Sequence, residues 1–293
     1  MHICNFGSLN IDLVYRVPHI VRPGETLASR GTETFAGGKG ANQSVALARA
    51  GATVHHAGAV GADGRWLIDR LRSHGVEAEL VAVLDDHRTG HAIIQVDDAG
   101  ENAIVLEAGA NHAIAREQID STLDRFAIGD VLLLQNEVND IATMIDAAHA
   151  RGMRICFNPA PMSDVVPGYP LEMVDLLIVN ETEGEALTGE REAESIASSL
   201  AALYEGAEVI VTLGSRGALH IGEAGVTMAR GRAVEAVDTT AAGDTFIGYY
   251  LAGRAQGLAV TSALDWACHA AALCCTRPGA MDAIPSRAEI DAG

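Results

Sequence analysis

The chain has 293 residues, 48% of them hydrophobic but only 4% aromatic, and 39 acidic against 20 basic side chains give a formal charge of −19. That length and an Ala/Val/Leu/Ile-rich composition suit one large α/β domain. The acidic balance argues against nucleic acid or an anionic membrane as partner, and no run of about 18 apolar residues offers a membrane span.

In chain order, the first predicted strand is 3–7, followed by a polar, Pro-punctuated stretch at 13–34 without helical period. A helix over 42 to about 50 starts from a Gly-rich turn, and strand 54–59 and helix 64–74 come next. Residues 90–106 carry two half-apolar runs around Asp97-Asp98-Ala99-Gly100-Glu101-Asn102, which predicts a β-hairpin. From about 125 onward, apolar runs at 131–134, 155–157, 176–179 and 209–213 alternate with helical patterns at 141–150, 183–187 and 192–203. A helix is expected from 244 to about 256, and Cys274 and Cys275 are adjacent in a further Ala/Leu helix. Strand, helix, strand at this spacing predicts a doubly wound, mostly parallel sheet flanked by helices. The two stretches outside that rhythm, approximately 13–36 and 88–108, predict a small β-sheet lid on a single domain spanning 1–293.

Polar residues follow the strands: Asn10 and Asp12, Glu137, Asn158, Asn180 and Glu183, and the turn from Thr212 to Gly217. The carboxyl ends of strands in an open parallel sheet border one crevice, so these groups are expected to converge there. The five cysteines, 4, 156, 268, 274 and 275, show no metal or CxxC spacing, and buried free thiols in a reducing compartment are expected. The residues 1–12 lack a basic segment leading into an apolar one, which gives no secretion signal and suggests a cytoplasmic protein. Trp66 and Trp266 fall in amphipathic helices and are read as core. The scattered histidines have no partner at ligand spacing.

The most informative stretch is Asp238-Thr239-Thr240-Ala241-Ala242-Gly243-Asp244, read as closing an apolar segment and opening a helix. Small residues let a ligand approach the backbone, and the helix start offers unpaired N–H groups and a positive dipole end. Asp244 is either a proton acceptor beside a phosphate or a carboxylate that caps a helix behind a Gly turn. Gly37-Gly38-Lys39-Gly40-Ala41-Asn42 is no Walker A loop, since Gly follows the Lys, and Gln43 stands where a dinucleotide fingerprint needs its third Gly. It offers backbone N–H groups, one cation and an amide.

Residues 37–50 (GGKGANQSVALARA) and 238–248 (DTTAAGDTFIG) resemble the two signatures of the ribokinase-like, or PfkB, carbohydrate kinases, and Asn180-Glu181-Thr182-Glu183 resembles the family's NxxE motif. The likeness is strongest to its ribokinase branch, through GSLNID at 7–12, PGET at 23–26 and TLGSRG at 212–217. The resemblance implies ATP-dependent phosphorylation of a small sugar, ribose foremost, with Asp244 as general base. Ala241, Ala242, Gly243 and Asp244 would form the anion hole. Sugar contacts would fall to Ser8, Asn10, Asp12, Gly38, Lys39, Asn42, Glu137 and Asp244. Nucleotide contacts would fall to Asn180, Thr212, Gly214, Ser215, Arg216, Gly217 and Gly243. Glu183 and Asn180 would organise Mg²⁺, mostly through water. A monovalent cation such as K⁺ would meet Asp238, Thr240, Cys274, Arg277 and Gly279, although Ala283 stands where ribokinases often carry a Ser. The family further implies a homodimer paired through the lid. Alternatives are a kinase of another sugar or a sugar acid, a nucleoside kinase, a sugar-binding protein without catalysis, and a nicotinamide-dependent oxidoreductase. The last is opposed by the absence of GxGxxG after a strand.

Overall fold

The computed structural model of the chain describes residues 1–292. It opens with β1 (Ile3–Phe6), β2 (Asn10–Arg16), β3 (Gly31–Gly37), α1 (Lys39–Arg49), β4 (Val54–Gly61), α2 (Arg65–Ser73) and β5 (Glu77–Leu84). A hairpin of β6 (Gly90–Val96) and β7 (Asn102–Glu107) follows, with Gly100 at φ 84° in its turn. Next come α3 (Arg116–Leu123), β8 (Val131–Gln135), α4 (Ile141–Ala150), β9 (Arg154–Asn158), β10 (Leu176–Asn180), α5 (Glu181–Thr188) and α6 (Ala193–Leu203). The chain continues through β11 (Glu208–Thr212), β12 (Gly217–Gly222) and β13 (Gly225–Arg230) to α7 (Ala242–Ala255), α8 (Val260–Cys275) and α9 (Arg287–Asp291).

Nine strands form one sheet in the order β13-β12-β11-β10-β9-β8-β1-β4-β5, and four form a second in the order β3-β2-β6-β7. From β5 across to β11 all neighbours are parallel, and β12 and β13 are added antiparallel. Helices cover both faces. Along β8, Val131 and Leu133 join the layer holding α1, α7 and α8, while Leu132 and Leu134 join the layer holding α4 and α6. A strand covered on both sides reads as an unbroken apolar run, which is why VLLLQ is legible as a strand without alternation.

The fold class is the one expected from the sequence, with local differences. α1 begins at Lys39, not at 42, because Gly38 at φ 97° turns the chain directly into the helix. β5 and the β12–β13 hairpin have no counterpart in the predicted elements. Residues 231–241 are irregular, so no apolar strand leads into the 238–244 motif. Trp66 is 39% exposed on α2 instead of packing in the core. Trp266 does pack, edge-on to Tyr249 with ring centroids 4.8 Å apart. The cysteines are unpaired, with Cys274 buried and Cys275 half-buried. Among the described residues, no helix is long and apolar enough to cross a membrane.

Candidate active site

Strand order departs from β1 in both directions, toward β4 on one side and β8 on the other. The loops leaving β1 and β8 therefore diverge and open a crevice at the carboxyl edge. Ser8, just past β1, donates its hydroxyl to Glu137 Oε2, just past β8. The same oxygen accepts the Lys39 N–H at 2.9 Å, so one carboxylate gathers the ends of two strands and the start of α1. The glycines here answer to contact. A Cβ on Gly37 would lie 2.1 Å from Asp12 Oδ2, and one on Gly40 would lie 2.4 Å from Ser8 N.

α7 supplies the opposite wall. Its N-cap, Ala241, sits in the left-handed region at φ 61°, a conformation costly for a residue with a side chain and found where a backbone is held for use. Among the described residues the N–H groups of Ala241, Gly243 and Asp244 have no acceptor, whereas Ala242 N–H reaches Thr239 O at 3.2 Å. A Cβ on Gly243 would meet nothing within 4 Å, so that peptide faces open space. Asp244 is 7% exposed and accepts Asn42 Nδ2 at 3.1 Å on Oδ2 and Gln43 Nε2 at 2.9 Å on Oδ1. It therefore does not cap α7, since both oxygens turn toward α1. α1 and α7 meet where a Cβ on Gly248 would lie 2.3 Å from that of Ala46, and this close crossing brings the two helix starts together.

The resulting cleft, about 450 Å³, is large enough for a sugar and phosphates. Asp12, Glu137, Glu183 and Asp244 line it, with Lys39 as its only cation among the described lining residues. The crowding is visible in the titration of these groups. Burial, with Glu137 next, pushes the Asp12 carboxyl up to about 7. Burial also raises Glu137 and Glu183. Lys39 is held above its ordinary value by Asp244 first, with Glu137 and Glu183 adding, against the effect of its own burial.

Asn10, Asp12, Gly38, Lys39, Asn42, Glu137, Asn180, Glu183, Thr212, Thr240, Ala241, Gly243 and Asp244 all line this cleft. Asn180 and Glu183 cap α5 reciprocally, Asn180 Oδ1 accepting Glu183 N at 2.8 Å and Glu183 Oε2 accepting Asn180 N at 2.9 Å. Gly214, Ser215, Arg216 and Gly217 are not in the cleft wall; they form the turn between β11 and β12, where Arg216 pairs with Glu181. Behind the α7 start, Asp238 accepts Thr240 N at 2.9 Å and Gly279 N at 3.0 Å, while Cys274 Sγ approaches Thr240 O at 3.8 Å. The Arg277 side chain leaves this group to pair with Glu289.

Several site residues went unnoticed in the sequence. Asn111, buried, donates to Asn10 Oδ1 at 2.7 Å and bonds the Leu9 backbone in both directions, fixing the link from β1 to β2. Gln43, Gln135 and Asn5 are wholly buried and connected to one another. For Asn5 and Gln135 a signal was present, as polar residues in the otherwise apolar segments ICNF and VLLLQ, whereas Gln43 was read only as a departure from a dinucleotide fingerprint. The lid contributes Ala92, Ile94, Ile104 and Leu106, an aliphatic wall.

Three comparisons bear on this geometry. The sequence profile described as pfkB family carbohydrate kinase matches residues 1–287. A ribokinase of Haemophilus influenzae is 35% identical over 97% of this chain and 95% of its own. Among solved structures, a ribokinase of Cryptococcus neoformans in complex with ADP superposes with TM-score 0.85 at 35% identity, covering 99% of this chain and 98% of that one. An Arabidopsis thaliana ribokinase complexed with ribose and ATP gives TM-score 0.89 at 28% identity, covering 99% and 97%.

Proposed function

The chain belongs to the pfkB family of carbohydrate kinases, and from that premise we propose that it transfers the γ-phosphoryl group of ATP to a hydroxyl of D-ribose, giving ribose 5-phosphate. The observation that carries this reading is the meeting of Asp244 with the unspent amides of Ala241 and Gly243 at the head of α7. In the proposed reaction the sugar oxygen attacks the γ-phosphorus as the bond to the β,γ-bridging oxygen breaks and ADP leaves. Asp244 takes the hydroxyl proton, and the amides gather charge on the transferred group. Asn10, Asp12, Gly38, Lys39, Asn42 and Glu137 are assigned to the sugar. Asn180, Thr212, the 214–217 turn and Gly243 are assigned to the nucleotide.

Four carboxylates against one lysine leave the cleft formally negative before a triphosphate enters. The donor set thus fits Mg²⁺ arriving with the nucleotide, and no group of three or more His, Cys, Asp or Glu at metal spacing offers a protein cage among the described residues. Glu183 and Asn180 would hold the ion through water, and it would neutralise phosphate charge there. For K⁺, the Thr240 carbonyl, met among the described residues by the long contact from Cys274, and the Asp238 carboxylate are oxygen donors of the right kind.

The aliphatic lid wall carries no ring to stack on a base, which favours a simple sugar over a nucleoside. A coupled ADP-release assay over pentoses, hexoses, sugar acids and nucleosides is the test, with ribose expected to give the highest kcat/KM. Greatest turnover with a nucleoside, or ADP release indifferent to any acceptor, would overturn the assignment. In the same assay, exchanging K⁺ for tetramethylammonium should slow turnover, and Glu183→Gln should raise the Mg²⁺ needed for half-maximal rate. Unchanged values would remove those two ions' assigned residues.

A homodimer is proposed through the lid. Ile93 and Val105, paired across β6 and β7, are 39% and 65% exposed on the side of the sheet opposite the cleft-lining residues. Covering such surface is a common reason for association. Sedimentation at working concentration should give the mass of two chains; the mass of one would refute the pairing. Unpaired thiols fit a reducing compartment such as the cytoplasm.

A further inference from the structure

Beneath the cleft, outside its lining, runs a line of buried amides. Gln43 Nε2 donates to Asp244 Oδ1 at 2.9 Å and lies 3.4 Å from Asn158 Oδ1. Gln43 Oε1 accepts Gln135 Nε2 at 2.7 Å, and Gln135 Nε2 also donates to Asn5 Oδ1 at 3.0 Å. Asn5 Nδ2 donates to Gly40 O and to Ser44 Oγ, both at 2.8 Å. Ser44 Oγ in turn pairs with His56 Nδ1 at 2.8 Å. Burial holds His56 down to about 4, so it is neutral, and its ring ends the line. Asn5, Gln43, Ser44, His56 and Gln135 are each 0% exposed.

For the amides of Asn5, Gln135 and Gln43 the order of donors and acceptors permits one arrangement. Gln135 spends both amide hydrogens on oxygens, and turning it over would set its own oxygen against two others. Its Oε1 faces Gly7, where any Cβ would come within 2.4 Å. Since Gln135 demands an acceptor from Gln43, the Gln43 amide must point its N–H at Asp244. Chains of this kind polarise one another and hold a single geometry.

We propose that Gln43 is a positioning residue for Asp244, oriented from the interior by Gln135, Asn5, Ser44 and His56 so that it holds Oδ1 and leaves Oδ2 turned to the ligand side. The proposal rests on the reading of Asp244 as general base and names what keeps it competent. Asn42 grips the other oxygen from within the cleft, where a sugar competes for it; Gln43 is beyond a ligand's reach. The other charged or titratable groups facing Asp244 are Lys39 on α1, Glu137 after β8, Glu183 on α5 and Cys274 on α8. Asp244's side-chain hydrogen-bond donors are Asn42 and Gln43.

The test uses Gln43→Met, which keeps length and loses both hydrogen-bonding ends, and Gln43→Glu, which sets a second carboxyl against the first. Losing a donor to the charged form favours protonation of Asp244. Gln43→Met is therefore expected to lower kcat about tenfold and to move the low-pH limb of the kcat/KM profile upward by about one pH unit, with KM for ATP within about twofold. Gln43→Glu is expected to move that limb further in the same direction, as paired carboxyls do. A limb at the wild-type position in either folded variant overturns the proposal, and loss of folding in both assigns Gln43 to the core and overturns it equally. Asp244→Asn separates the two levels. Wild-type turnover there removes the base itself, whereas a normal Gln43→Met profile in an enzyme that still requires Asp244 removes only this inference.

Discussion

Asp244→Asn is expected to lower kcat by at least about 100-fold, with KM for either substrate changed far less. The amide keeps the size of the side chain and can still accept Gln43 Nε2, but it cannot take a proton from an attacking hydroxyl. On the other side it presents hydrogens to Asn42 Nδ2, now 3.1 Å from an acceptor, so one hydrogen bond is lost. Loss of one bond and of a favourable charge in the first turn of α7 costs on the order of 1–2 kcal/mol, so the fold should survive. Stopped-time assays with saturating ribose and ATP, beside a thermal melt, make the check. Turnover within a few-fold of wild type in a folded protein would take Asp244 out of the chemistry.

Asp12→Ala is expected to raise KM for the sugar by about 100-fold or more while calorimetric affinity for ATP changes by less than about twofold. A carboxylate bonding two neighbouring hydroxyls contributes roughly 1.5–3 kcal/mol for each, and tenfold corresponds to about 1.4 kcal/mol. Asp12 is on β2 of the smaller sheet, whereas Asn180 and Thr212, assigned to the nucleotide, end β10 and β11 of the larger one, so the two effects are expected to separate. Equal losses of sugar and ATP would contradict the assignment. The same carboxyl sets a pH dependence. Its folded value of about 7 lies above the ordinary 3.8, so the folded empty site binds a proton more tightly than the unfolded chain. Its stabilising contribution is present below 3.8 and is lost as pH rises through about 7. Asp12→Asn should therefore stabilise the sugar-free protein at pH 8, on the order of 1–3 kcal/mol, and barely at pH 4. For wild type, KM for the sugar should rise as pH falls below about 7, where the acid can no longer accept from two hydroxyls.

The parallel core and its crevice were legible because strands covered on both faces, such as VLLLQ, are unbroken apolar runs and because β8, β9, β10 and β11 each end in a polar residue. The edges were not. β5, EAELVAVL, mixes charged and apolar residues as an edge strand does, and the β12–β13 hairpin hides behind a glycine turn whose Gly217 adopts φ 108°. Asp244 was legible as reactive from its neighbours in sequence, yet its two holders come from α1, about two hundred residues earlier. Gln43 looked like the residue that spoils a dinucleotide fingerprint. Only the crossing of α1 and α7 turns it toward a carboxylate. Long-range hydrogen bonds of this kind leave no periodic trace, so the buried amides stayed invisible while the loop glycines stood out.

That crossing has a practical corollary for anyone reshaping the enzyme. Gly248 and Ala46 pass so closely that a Cβ at 248 would lie only 2.3 Å from that of Ala46, so the alignment of proton acceptor and amides depends on an atom that is not there. One methyl added at 248 would work as a wedge, and catalysis would falter with every reacting group intact. The lid wall of Ala92, Ile94, Ile104 and Leu106 lies on a separate sheet and borrows nothing from those helices. Retuning the choice of acceptor is therefore best attempted there, where changes of shape leave the engine's bearings untouched.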